Sequence, residues 1–459
     1  MEIRSVLVAN RGEIALRVIR ACRELGVHSI AVYAEPDRES LHVSAADRAL
    51  CIGPRDSRAS YLNHDAIIQA ALGVSADAVH PGYGFLAENA EFAEKVLAEG
   101  LRWIGPSPDA IRRMGDKSMA RATMLLAGVP VVPGSDGILV DDAEAHMVAE
   151  RVGYPILIKA TAGGGGKGMR AVETADKLVK AVMLARAEAG AAFGDDGVYL
   201  ERLLTRVRHI EVQVLADMFG NTIHLWERDC SAQRRRQKLL EEAPAPGLPE
   251  TVRAAMGEAA VAAAKAVSYA GVGTVEFIYE PGSGDFYFME MNTRIQVEHP
   301  ITEAITGVDL VQAQIRVAGM EKLDIEQDDV ERRGHAIECR INAEHPETFM
   351  PNAGKIHEYL PPGGPFVRVD SHCYPGYILP PFWDSLLAKL IVWAPTRDEA
   401  IERMDRALAE FRLTGLHTTI SLQRRLLAHP LFRAGNILTH SVETEVLVRE
   451  DLAQEEVRR

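Results

Sequence analysis

Glu290-Met291-Asn292-Thr293-Arg294-Ile295-Gln296-Val297-Glu298 is the stretch on which the reading of this chain turns. Side chains alternate along a strand, so Glu290, Asn292, Arg294, Gln296 and Glu298 are expected to share one face, and all five are polar. Upstream, Thr274-Val275-Glu276-Phe277-Ile278-Tyr279-Glu280 also reads as a strand. Pro281-Gly282-Ser283-Gly284 between them is turn chemistry, which predicts a hairpin. With Glu280 facing Phe286, Glu276 falls directly opposite Glu290. Like charges so placed destabilise a ladder unless a cation lies between them. Two carboxylates and the Asn292 carbonyl oxygen suit Mg²⁺, a hard ion that takes oxygen ligands. The competing reading is a solvated face on which Arg294 neutralises one glutamate.

A chain of 459 residues exceeds one hydrophobic core, and two to four domains are expected. No apolar run reaches the length that crosses a bilayer, so no membrane partner is expected. The first residues enter a strand directly, which argues against a signal peptide and for a cytoplasmic protein. Five widely spaced cysteines, without Cys-x-x-Cys, point to reduced thiols and no zinc site. A net charge of −14 argues against nucleic acid as a partner, so any anion must be held by local cations.

Val6-Leu7-Val8-Ala9, a helix with Ile14, Val18, Ile19, Cys22 and Leu25 on one stripe, and a strand over 28–33 open the chain as a βαβ unit. Its first turn, Asn10-Arg11-Gly12-Glu13, lacks the glycine pattern of dinucleotide-binding enzymes. Strands are expected over 49–52, 77–80 and 103–104. His80-Pro81-Gly82-Tyr83-Gly84 follows one of them, either as a ligand-collecting loop or as a structural turn. After a charged helical link with Gly115-Asp116-Lys117, a strand ends in Lys159 and runs into Gly163-Gly164-Gly165-Gly166-Lys167. Consecutive glycines let backbone N–H groups wrap a phosphate, a reading favoured here over a flexible linker. His209-Ile210-Glu211-Val212-Gln213-Val214-Leu215 alternates as a strand. Arg234-Arg235-Arg236-Gln237-Lys238 is a basic run, either solvated surface or an anion site beside the acidic hairpin. After Gly334, a strand over 335–342 puts Glu338, Arg340 and Asn342 on one face. A β-rich meander and an amphipathic helix over 399–411 follow.

Together, Ala9-Asn10-Arg11-Gly12-Glu13-Ile14-Ala15, His80-Pro81-Gly82-Tyr83-Gly84-Phe85-Leu86-x-Glu88-Asn89, the glycine loop, Glu241-Glu242-Ala243-Pro244-Ala245-Pro246 and Glu290 through Pro300 closely resemble biotin carboxylase, of the ATP-grasp superfamily. The resemblance implies an α/β and α+β multidomain fold. Its parts would be a Rossmann-like domain over 1–114, an ATP-grasp domain over 115–333 with a mobile glycine-rich lid near 131–203, and a β-rich C-terminal domain over 334–447. It implies that ATP and bicarbonate give carboxyphosphate, which releases CO₂ to biotin N1. Lys117, Lys159, His209, Arg236 and the hinge residues Glu201, Arg202, Leu203 and Leu204 would contact the nucleotide. Gly165 and Gly166 would cradle phosphate. Glu276, Glu290 and Asn292 would hold Mg²⁺ or Mn²⁺, two ions in all. Glu298 would deprotonate bicarbonate, bound by Lys238, Arg294 and Val297, and Arg340 would stabilise the biotin enolate.

Biotin would arrive on a separate biotin carboxyl carrier protein, since the chain contains no Met-Lys dipeptide and is expected to stand alone. Carboxyltransferase subunits complete such systems, acetyl-CoA carboxylase foremost, with propionyl-CoA, pyruvate and 2-oxoglutarate carboxylases as alternatives. A different ATP-grasp ligase is a further alternative. A nucleotide-binding regulatory subunit is disfavoured because all three metal ligands are present. A homodimer is expected through Arg17, Arg20 and Glu24, taken as one helix side. The chain departs from the family's usual residues at Ala162, Lys167 and Arg236, and Pro365 stands where the family's interface carries an aromatic.

Overall fold

The computed structural model describes residues 3–161 and 169–447. Gly165 and Gly166, with the rest of the glycine loop, therefore lie outside the described residues. The N-terminal sheet is wholly parallel, with β1 (Ser5–Val8), β2 (His28–Ala34), β3 (Arg48–Gly53), β4 (Ala78–His80) and β5 (Arg102–Trp103) in the order β3-β2-β1-β4-β5. The helix Gly12–Glu24 packs its Ile14/Val18/Cys22 stripe into a core with Val6, Val8 and Ala31. The strand order reverses around β1 and β4, where ligands collect in such sheets. Both turns named in the sequence meet there. Asn10 Nδ2 donates to the carbonyls of Pro81 and Tyr83, each at 2.7 Å. Gly82 has φ +62°, and a Cβ there would come within 2.9 Å of the Asn10 amide. The glycine turn is thus structural, while Tyr83 beside it faces the cleft.

A small antiparallel sheet of β6 (Ile156–Ala160), β7 (Met169–Val172) and β8 (Val198–Arg202), with helices Asp142–Val152 and Leu178–Phe193, has its own apolar core around Ile158, Val182 and Leu200. The remaining strands are β9 (Arg208–Ala216), β10 (Thr222–Arg234), β11 (Gln237–Ala243), β12 (Gly271–Glu280), β13 (Asp285–Asn292), β14 (His335–Asn342), β15 (Gly354–Lys355), β16 (Glu358–Leu360), β17 (Val367–Ser371), β18 (Ile378–Leu379), β19 (Leu386–Ala394) and β20 (Arg412–Thr414). Eight of these form one sheet, β13-β12-β9-β10-β11-β14-β19-β17, which runs across the division expected near residue 334.

Two expectations are corrected. The strand read as 290–298 ends at Asn292, because Glu298 is the N-cap of helix His299–Thr306 and the chain must turn to reach it. Glu280 faces Asp285 and not Phe286. A bulge at Met289 absorbs the one-residue difference, so Glu276 still stands opposite Glu290. The basic run is a hairpin turn, with positive φ at Arg235 and Arg236. Arg234 stacks on Phe349 at 3.7 Å, while Arg236 and Lys238 line the cleft, so the run divides between the two readings.

Candidate active site

Strand pairing carries polar side chains from β9, β11, β12, β13 and β14 to one side of the long sheet, where the N-terminal domain closes a cleft of 1420 Å³. Lys238 lines this cleft. Its ammonium lies 2.6 Å from Glu211, 3.1 Å from Glu276 and 2.5 Å from Glu298. Burial alone would deprotonate Lys238, but the three carboxylates outweigh burial and hold it charged, well above the usual lysine range. Burial would likewise protonate Glu298. Lys238 and then Arg340 overcome that, against Glu211, and keep its carboxyl below the ordinary range. Glu298 is therefore an anion clamped between two cations, with Arg340 Nη2 at 3.0 Å from its second oxygen.

Under this cluster lies Arg228, fully buried. It donates to Glu211 at 2.7 Å, Gln213 and Gln296 at 2.6 Å each, Thr302 at 2.9 Å and Thr274 at 3.2 Å. A guanidinium with all its neighbours fixed makes a rigid floor. Glu211 is held at about 2; burial opposes this, and Lys238 and Arg228 prevail.

Glu276 accepts from Lys238, Asn292 Nδ2 at 2.9 Å and Gln296 Nε2 at 2.7 Å, and its other oxygen lies 3.0 Å from His209 Nε2. Opposite, burial and then Glu276 raise the Glu290 carboxyl above its ordinary range. Two facing carboxylates with one disfavoured as an anion are a donor set that a divalent cation completes. Asn292 Oδ1 accepts from Arg294 at 2.8 Å and keeps a second lone pair for a metal. The residues present thus fit Mg²⁺. Arg294 also donates to Glu88 at 2.9 Å, which ties the N-terminal domain to the turn after β13.

Lys117, Lys159, Glu201, His209 and Arg236 line the same cleft. Glu201 is paired with Lys159 and, at 3.4 Å, with Arg121. Among the hinge residues, Arg202 turns away to Glu280 at 2.8 Å and the Tyr287 hydroxyl at 3.1 Å, and Leu203 and Leu204 are absent from the lining. The Val297 carbonyl accepts from buried Lys389 at 2.9 Å. The sequence reading missed Glu211 and Arg228 as members of this network, and it carried Glu88 and Gln296 in its motifs without giving them a role. Glu211 carried a legible signal, since His209, Glu211 and Gln213 put three polar groups on one face of β9, the pattern that drew attention to 290–298.

Three family models match in series: biotin carboxylase N-terminal domain over residues 2–111, the ATP-binding domain of the carbamoyl-phosphate synthase L chain over 116–326, and biotin carboxylase C-terminal domain over 338–444. Biotin carboxylase 1 of Bacillus subtilis (strain 168) is 57% identical over 443 residues, 96% of this chain and 98% of the relative. Biotin carboxylase from Campylobacter jejuni, solved as a β-γ-ATP complex, superposes with a TM-score of 0.90 at 48% identity, covering 96% of this chain and 99% of that one. The biotin carboxylase domain of Hydrogenobacter thermophilus 2-oxoglutarate carboxylase, a dimer solved with MgADP, ADP and bicarbonate, gives 0.89 at 48% identity, covering 98% and 99%. Sequence, fold and the arrangement of the cleft agree, and the chain belongs to the biotin carboxylase family.

Proposed function

We propose that this chain carboxylates biotin with bicarbonate and ATP, giving ADP and phosphate. The observation that carries the reading is Glu298, anionic, buried and flanked by Lys238 and Arg340, next to the facing pair Glu276 and Glu290. Lys238, Arg294 and the Val297 backbone bind bicarbonate, and Glu298 accepts its proton. The bicarbonate oxygen attacks the γ-phosphorus of ATP, whose phosphates are met by Lys117, Lys159 and Arg236, with His209 and Glu201 at the nucleotide. Glu276, Glu290 and Asn292 would hold Mg²⁺ or Mn²⁺, which supplies charge neutralisation to the phosphates when bound. Carboxyphosphate breaks down to CO₂ and phosphate, the phosphate takes the proton of biotin N1, N1 attacks CO₂, and Arg340 opposes the charge that develops on the ureido oxygen.

Biotin arrives on a separate carrier protein, and the carboxyl group passes to a carboxyltransferase, assigned here to an acetyl-CoA carboxylase. The chain works as a homodimer. The test measures ADP release against bicarbonate and biotin. Release should need bicarbonate and rise with biotin, and Glu298→Gln should lose about a thousandfold, the scale of removing a catalytic base. ADP release independent of biotin would favour another ATP-grasp ligase.

A further inference from the structure

Behind Arg340 lies a buried pair that the reaction leaves unused. Glu241 on β11 and Glu338 on β14 stand directly opposite each other in the antiparallel ladder. Both are at 0% exposure. Glu241 Oε1 accepts from Arg340 Nε at 2.6 Å. Its other oxygen, and both oxygens of Glu338, have no hydrogen-bond partner among the described residues.

Charged and titratable groups flank Glu338 from each neighbouring element. Lys389 on β19 pairs with Arg340, one diagonal step from Glu338. Glu241 faces it from β11, Arg340 follows it on its own strand, and Glu298 approaches from the start of helix His299–Thr306. That helix also brings His299, which burial keeps neutral. Lys389 is committed elsewhere, to the Val297 carbonyl at 2.9 Å and Glu13 at 3.2 Å. Arg340 is thus shared among three carboxylates, and its ion pairs are to Glu241 and Glu298.

Two carboxylates facing each other in a dry ladder are not both ionised; one keeps its proton. Burial pushes Glu338 well above the ordinary range, Lys389 and Arg340 oppose it, and Glu241 and Glu298 add to it. Burial also raises Glu241, though less than Glu338, because the charge of Arg340 and its hydrogen bond favour the anion there.

We propose that Glu241 and Glu338 are a positioning pair for Arg340, in which anionic Glu241 grips Nε so that Nη2 faces Glu298 and the cleft, while Glu338, kept as the neutral acid, does not compete for the guanidinium. This rests on the reading of Arg340 as the group that meets the biotin oxyanion. Ionised, Glu338 would draw Arg340 back along the shared face of β14 and away from the cleft.

The experiment uses the full chain with MgATP, bicarbonate and biotin. Glu241→Gln should lower kcat for biotin carboxylation about ten- to a hundredfold, the effect of losing one hydrogen bond to a charged group, with the KM for ATP moved less than about twofold. Glu338→Gln, which reproduces the neutral acid, should extend the rate plateau to higher pH than the parent protein. An infrared difference spectrum between the parent and Glu338→Gln at neutral pH should show a protonated carboxyl stretch that is present in the parent and lost in the variant. Absence of that band, parental kcat in Glu241→Gln, or neutral-pH damage in Glu338→Gln as deep as in Glu241→Gln would overturn the pair. A parental rate in Arg340→Ala would instead overturn the reading of Arg340 itself.

Discussion

Glu276 and Glu290 face each other whichever local register is assumed, because the bulge at Met289 compensates for the shift at the turn. Alternation along 290–292 was legible, but the bulge was not, since no glycine or proline marks it. Beyond Asn292 the polar residues converge through a turn and a helix cap, which periodicity cannot foresee, so Glu298 reaches the cleft by a geometry other than strand alternation. Arg228 escaped notice because a lone arginine in a strand predicts surface, and its burial follows from five acceptors on four other segments. Glu290→Gln should abolish bicarbonate-dependent ATP cleavage, since a metal loses a charged ligand. It should leave metal-free thermal stability equal or higher, because a like-charge pair across the ladder is relieved. Calorimetry beside the ADP assay checks both. Arg340→Ala should lower biotin carboxylation more than about a hundredfold while the KM for ATP shifts less than about threefold, because its role lies in the transition state. Steady-state kinetics with ATP and biotin varied separately decide this.

Strands with strong alternation or continuous apolar runs were legible in the sequence: β1, β2, β12 and β14 lie within a few residues of their expected bounds. The eight-stranded sheet was not, because the pairing of β11 with β14 joins segments nearly a hundred residues apart and leaves no local mark. One buried tie at this junction makes it testable. Glu242 on β11 accepts from His335 on β14 at 2.8 Å, and from Arg397 at 2.7 Å where helix Arg397–Glu410 begins. Burial opposes the charge, but His335 and Arg397 prevail and hold the Glu242 carboxyl at about 2. A depressed carboxylate contributes stability above its unfolded value, and that contribution is lost as pH falls toward the folded one. The junction should therefore weaken between the ordinary glutamate range, about 4.5, and about 2. Arg397→Ala should cost about 3 kcal/mol at neutral pH, typical of stranding a buried charge, and flatten the acid dependence. Urea unfolding of the two proteins from neutral pH to pH 3 measures both effects.

At the scale of the whole molecule, the helix Gly12–Glu24 bears on how two copies meet. The sequence places Arg17, Arg20 and Glu24 on one free side, yet Arg17 is buried and paired with Glu303 at 2.9 Å and Asp309 at 2.7 Å of its own chain. That leaves Arg20 and Glu24 outward, beside a shallow pocket shared with Val308, Arg368 and Val369. The aromatic missing at Pro365 stands one residue later: Phe366 is 60% exposed, with φ +60°, packed against Trp393 at 4.9 Å and under Arg403 at 5.6 Å. An exposed aromatic held by such neighbours gives a two-fold interface an apolar anchor, and Arg20 with Glu24 gives it a self-complementary charge pair. The homodimer expected from the family is therefore expected to persist despite Pro365. Light scattering at micromolar concentration should give twice the chain mass of 50.3 kDa. Phe366→Ala should weaken association at least about tenfold, as truncation of an aromatic anchor does. A monomer mass for the parent protein would refute the dimer, and an unchanged dimer in Phe366→Ala would remove Phe366 from its interface.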